Sequence, residues 1–161
     1  MQMLTDDGRA RAEPSSLRDA ALSARLVRRV MHMRPQASVW LEIAEDDLST
    51  AEHCFKGNRY LWAMFMCQQA AEKAIKAVYV EQTGETPPRK HDLVSLAGSA
   101  GILAECDENR RDLLRRLSLY YIETRYPDKR AQLEATCTEE YVGQMMARTK
   151  EVVEWLKNKL R

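Results

Sequence analysis

The chain has 161 residues, 45% hydrophobic and 30% charged, a mixture that supports one sizeable core and excludes an intrinsically disordered polypeptide. A formal net charge of +1 excludes any global pull toward nucleic acid or membrane, so such a role must come from a local patch. No apolar run reaches the roughly 20 residues of a membrane-spanning helix, and the first residues hold no apolar secretory core; the expected location is the cytoplasm.

Residues 1–36 read as a basic extension. Arg9, Arg11, Arg18, Arg25, Arg28, Arg29 and Arg34 dominate it, and Pro14-Ser15-Ser16 interrupts it. Ser16 is placed to cap a weak amphipathic helix from Leu17 to Met31, with Ala20, Ala24, Val27 and Met31 on one face. The expectation is a disordered or weakly helical segment, or sequence upstream of a start at Met31 or Met33. A packed domain over 37–161 follows.

Trp40, Ala44, Leu48, Ala51 and Phe55 fall at helical spacing, so 38–55 reads as a first amphipathic helix. Gly57-Asn58 ends it. A second helix spans about 59–82. Its first half, Leu61 to Cys67, is apolar on every side, the pattern of a helix covered all round. Met64, Phe65 and Ile75 are expected in the core, with Leu117 and Val152 from later helices. Gly84 and Pro87-Pro88 break the chain. His91-Asp92 opens a short third helix with Leu93, Leu96, Ala97 and Ala100 facing inward. A fourth runs from Asp107 to about Thr124, with Leu113, Leu114, Leu117, Tyr120 and Tyr121 as its stripe, and Pro127 stops it. Thr138 caps a last helix whose stripe is Val142, Met145, Met146, Thr149, Val152, Val153, Leu156 and Leu160. Nothing alternates at period two. The expected class is all-α: an up-and-down four-helix bundle with a short additional helix.

The most informative segment is Gln68-Gln69-Ala70-Ala71-Glu72-Lys73-Ala74-Ile75-Lys76-Ala77. Gln68, Glu72 and Lys76 recur every fourth residue, and Gln69 and Lys73 form the adjacent row. Polar groups on a buried helix need partners, so the row is either a satisfied structural network or the wall of a site. Cys54, Cys67, Cys106 and Cys137 are far apart and read as reduced thiols. His32, His53 and His91 have no metal-ligand spacing, and no metal or cofactor is expected.

The order Ala44-Glu45-Asp46-Asp47-Leu48, Gly57-Asn58-Arg59-Tyr60, Gln69 to Ala77, His91-Asp92-Leu93, and Tyr121 leading to Arg125-Tyr126-Pro127-Asp128 resembles the HEPN domain, the higher eukaryotes and prokaryotes nucleotide-binding family, over about 38–160, and the RYPD-containing bacterial members in particular. The resemblance implies an up-and-down helical bundle, often a homodimer, similar to proteins encoded beside a minimal nucleotidyltransferase in toxin–antitoxin pairs. Other branches are metal-independent endoribonucleases, marked by an Arg followed four to six residues later by a His. Here Arg115 and Arg116 are followed by Tyr120 and Tyr121 instead, and tyrosine, with a pKa near ~10, is a poor proton shuttle at neutral pH. The one spacing match, Arg25 with His32, lies in the extension.

The candidate phosphate-binding residues are Lys73, Lys76, Arg125, Tyr126 and Asp128; the candidates for catalysis are Arg125, His91 and Tyr126. A guanidinium beside a rigid turn can grip phosphate in two places, and Tyr126 can stack on a base. The structural account of the same residues is a cation favoured at a helix C-terminus, with Asp128 an ordinary turn residue. Asp46 and Asp47 read as solvated or ion-paired. Arg110, Arg111, Arg115, Arg116, Arg125, Lys129 and Arg130 form either a salt-bridged face or an RNA-docking strip. Three functions follow: a nucleotide- or RNA-phosphate-binding interaction module paired with a nucleotidyltransferase, a metal-independent endoribonuclease, or a structural dimerisation domain.

Overall fold

The computed structural model describes residues 33–160. The basic extension, with its helix over 17–31, lies up to residue 32 outside them. Six α-helices follow in order: α1 Pro35–Lys56, α2 Tyr60–Thr83, α3 Leu93–Ser99, α4 Glu108–Ile122, α5 Pro127–Thr136 and α6 Glu139–Lys159, with single 3₁₀ turns at Leu103–Glu105 and Glu123–Arg125. The described residues contain no strand, and the all-α class expected from the periodicity is what the chain adopts. No described helix is long and apolar enough to cross a membrane.

The centre is α2, which packs against each of the other five helices. Its composition makes this possible. Ala63, Ala70, Ala71, Ala74 and Ala77 are fully buried, and such small side chains let several helices approach one axis closely. Leu61, Met64, Cys67, Ile75 and Val78 fill the space between. Asn58, in the left-handed region at φ 58°, makes the turn from α1. At the far end Gly84 ends α2 at φ 72°. A Cβ there would stand 2.9 Å from Nη1 of Arg34, a side-chain end that can shift, so it is the backbone conformation that calls for glycine. Arg34 in turn donates its backbone N–H to Glu81 Oε2 at 2.7 Å and its Nε–H to the Glu81 carbonyl at 3.1 Å, tying the start of α1 to the end of α2.

Two expectations need correction. Pro127 does not merely stop the fourth helix. It is the first residue of α5, a position where its missing N–H costs nothing and its fixed φ is already helical. Asp128 is therefore a first-turn acid on a helix dipole, not a loop residue. Phe65 is only half-buried, unlike Met64, Ile75, Leu117 and Val152; it faces other aromatic rings at the side of the bundle.

Two truncations separate these environments. Ile75→Ala should cost about 2–5 kcal/mol in urea denaturation, and Phe65→Ala measurably less. The reverse order would return Phe65 to the core.

Candidate functional site

The polar row on α2 converges on one buried carboxylate. Glu72 is 1% exposed. Its Oε1 accepts from Lys76 Nζ at 2.7 Å and its Oε2 from Gln68 Nε2 at 3.0 Å. His91 Nδ1 stands 3.1 Å from Oε2 and 3.3 Å from Oε1. Gln69 Nε2 donates to Gln68 Oε1 at 2.6 Å, and Lys73 Nζ donates to Gln69 Oε1 at 2.9 Å. The α-helical period makes this network possible, because residues three and four apart share a face.

Burial alone would raise the Glu72 carboxyl. The hydrogen bonds from Lys76, Gln68 and His91, with the Lys76 charge, outweigh it and hold the group below its ordinary value. The carboxylate is thus ionised at neutral pH, and Nδ1 of His91 carries a proton toward it.

His91 is fixed from four directions. Gln68 Nε2 donates to its carbonyl at 3.2 Å. Two residues on, the N–H of Leu93 donates to Ser118 Oγ on α4 at 2.9 Å, and Ser118 donates in turn to the Leu114 carbonyl at 2.8 Å. Asp92 caps α3 by accepting from the N–H of Ser95 at 2.7 Å. The imidazole stacks on Tyr121 at 3.8 Å between centroids, the planes 16° apart. The Tyr121 hydroxyl is 2.9 Å from Nε2. Glu72 and the Tyr121 hydroxyl thus hold the two ring nitrogens, one each.

From Tyr121 the line continues to Arg125, whose guanidinium carbon lies 4.5 Å from the ring centroid. The sequence candidates Lys73, Lys76, His91 and Arg125 are therefore linked side chain to side chain through Glu72 and Tyr121. Tyr126 and Asp128 are not in that line: both are exposed, Tyr126 over 60% of its surface. The cations differ in how free they are. Lys76 is buried and neutralises Glu72 while lying 5.4 Å from the Trp40 ring centroid. Lys73 is 3.9 Å from Glu72 and partly exposed. Arg125 has no carboxylate within ion-pair reach among the described residues.

Asp47, from α1, also faces this row. Burial raises its carboxyl, the Lys73 charge opposes that, and Asp46 and Glu72 push it further up. Asp47 is partly exposed and has no ion-pair partner among the described residues. Tyr120, neighbour of Tyr121, is buried against Cys137, and burial raises its hydroxyl above its ordinary value. Trp62, Phe65, Tyr121 and Glu72 were not singled out from sequence as joint members of one face. Among the described residues no group of three His, Cys, Asp or Glu side chains forms a metal-binding array.

A family model for the HEPN domain matches residues 37–159. Among solved structures the chain is similar to TT1696 from Thermus thermophilus, at 24% identity and a TM-score of 0.68 over 78% of this chain and 99% of that one. It is also similar to ST0689, an archaeal HEPN homologue, at 24% identity and a TM-score of 0.58 over 80% and 100% of the two chains. At such identity the two structures speak for the fold alone. No curated protein matches the chain.

The Glu72 network predicts a pH signature. Because the folded carboxyl sits below its ordinary value of 4.5, its contribution to stability is fully present above that value and is lost as pH falls through the lower folded value. Glu72→Gln leaves Lys76 buried and unpaired and should cost about 3–5 kcal/mol at pH 7. Denaturation of both proteins across pH should show that difference shrinking below about pH 4.5. A constant difference would mean that Glu72 is not the charged centre.

Proposed function

The chain belongs to the HEPN domain family, whose model spans most of it, and on that premise we propose that it is a nucleotide- or RNA-phosphate-binding interaction module, working as a homodimer beside a nucleotidyltransferase-type partner. One observation carries the reading. An unbroken line of side-chain contacts runs from Lys73 through Gln69, Gln68, Glu72, His91 and Tyr121 to Arg125, and it ends on a guanidinium that no carboxylate of the described residues occupies. Stacking on Tyr121 orients that planar group while leaving its N–H edges for the two oxygens of a phosphate.

Lys73, at the other end of that line, offers a second positive charge to a ligand long enough to reach it, and Lys76 acts through Glu72. His91 has Nδ1 held by Glu72 and Nε2 by the Tyr121 hydroxyl. Tyr126 offers an exposed ring for a base. Asp128 opposes phosphate by its charge and instead accepts from a ribose hydroxyl. Leu119 and Ile122, both large, apolar and exposed on α4, give a protein partner an apolar strip beside the site.

A second reading, a metal-independent endoribonuclease, is favoured by one feature. The family's ribonucleases carry their imidazole on the helix where this chain has Tyr121, and here His91 brings an imidazole against that tyrosine from another element. With the Tyr121 hydroxyl displaced, Nε2 of His91 would accept the proton of a ribose 2′-hydroxyl as that oxygen bonds to phosphorus. The 5′-oxygen would leave, taking a proton back, with Arg125 holding the phosphate charge.

Calorimetry with ATP, GTP and short RNA tests the first reading. Arg125→Ala should weaken binding about tenfold or more and lower the salt dependence by about one phosphate contact. No heat from the wild type at millimolar nucleotide would leave a dimerisation domain or a protein partner alone. RNA cleavage in the presence of EDTA that His91→Ala abolishes would establish the second reading; intact RNA would remove it.

A further inference from the structure

The phosphate corner leaves unused a row of aromatic rings on the same side of the bundle. Trp62 meets Phe65 edge-on at 5.9 Å, and Phe65 lies nearly parallel to Tyr121 at 6.5 Å. An arginine covers each end: Arg125 at 4.5 Å from the Tyr121 centroid and Arg130 at 5.1 Å from that of Trp62. Trp62 is 43% exposed, unusual for so large an apolar side chain on a central helix. Neither arginine has a carboxylate within ion-pair reach among the described residues, whereas Arg110, Arg115, Arg116 and Arg148 all do.

Beside Trp62 a pocket of about 260 Å³ opens, lined by Asn58, Arg59, Trp62, Arg130, Glu134 and Cys137 among others. That is below the ~300–1,000 Å³ of a typical small-molecule site, fit for a single ring system and not for a whole nucleotide. Glu134 on its wall repels phosphate. A flat uncharged base suits the interior, with its phosphate held outside by Arg59 and Arg130.

We infer that Trp62, Arg130 and this pocket form a base-stacking subsite, and that the ligand is a single-stranded polynucleotide running from the Arg125 phosphate to Trp62. The inference rests on the reading of Arg125 as a phosphate site. The exposed rings of Tyr126, next to Arg125 in the chain, and of Trp62, under Arg130, serve successive nucleotides of one strand, whereas a mononucleotide engages only one. Stacking accepts any base because every base has a π-face, and a duplex hides those faces.

Fluorescence anisotropy with the full chain tests this. The probes are uridine monophosphate, oligouridylates and oligothymidylates of increasing length up to about eight nucleotides, and a blunt duplex as competitor. Affinity should rise with length in at least one single-stranded series, and the duplex should compete poorly. Trp62→Ala should weaken the longer oligomers about tenfold and the mononucleotide far less, and Trp62→Phe should restore most of the loss. Arg130→Gln should lower the salt slope by about one. Trp62 is exposed, so the variants should fold, which circular dichroism would check. Equal affinity for mononucleotide and oligomer, with Arg125→Ala still weakening both, would overturn the subsite and leave the phosphate corner standing. Absence of any nucleotide or oligomer binding would overturn both.

Discussion

The arrangement of this molecule depends on one buried carboxylate. Glu72 sits on the helix that touches all the others, with almost no surface in water, and a charge in that position must be compensated or expelled. Its compensation dictates the surroundings. Lys76 folds back one turn to reach it, Gln68 divides its amide between it and the His91 carbonyl, and the His91 ring turns its Nδ1 toward it. The orientation of the histidine at the site follows from satisfying Glu72. A well-packed apolar trio in place of Glu72, Gln68 and Lys76 could be equally stable, since buried ion pairs seldom outperform hydrophobic replacements. What such a trio would not do is hold His91, whose ring and carbonyl both depend on this row.

The basic residues fall into two groups with different chemistry. Along the first half of α4, Arg110 pairs with Asp107, Arg115 with Glu108, and Arg116 with Asp112, which Arg148 also reaches. These are wet surface pairs of small energetic worth, and that stretch carries the salt-bridged reading of the arginine cluster. At the α4–α5 corner Arg125 and Arg130 form no ion pair among the described residues and rest on aromatic rings instead. A guanidinium stacked on a ring keeps its in-plane donors unspent. What distinguishes the corner is the number of donors left over, not the number of arginines.

Much of the fold was legible in the sequence because α1, α2 and α6 bury continuous stripes at the helical period. The Gln68–Glu72–Lys76 row stood out for the same reason: four-residue spacing is a local signal. The helix α5 was missed because proline reads as a terminator unless its position within the helix is known, and because Leu133 is the only buried residue in that helix, too little to make a stripe. Phe65 looked like core because its sequence neighbours are apolar. Its place depends on Tyr121, far along the chain and on another helix. The same holds for the His91–Tyr121 stack, the Asp47–Lys73 approach and the Arg130–Trp62 pair. Each joins residues with no spacing relation, so only the topology brings them together.

A net charge of +1 argues against nucleic-acid binding only until distance and screening are considered. Asp107 and Arg125 are separated by the length of α4 and a 3₁₀ turn, roughly 27 Å at the helical rise. At physiological ionic strength the screening length is about 8 Å, so the acids at the start of α4 do little to the field at its end. Asp47, Asp46 and Glu72 act at shorter range, and they offset Lys73 and Lys76 rather than Arg125. The potential a phosphate would meet is therefore set by the corner itself, where Arg125, Lys129 and Arg130 stand with Glu123, Asp128 and Glu134. Formal charge is balanced there, so the exposed rings of Trp62 and Tyr126 would have to add what charge alone does not supply. A ligand with bases to stack gains from this surface what inorganic phosphate alone cannot.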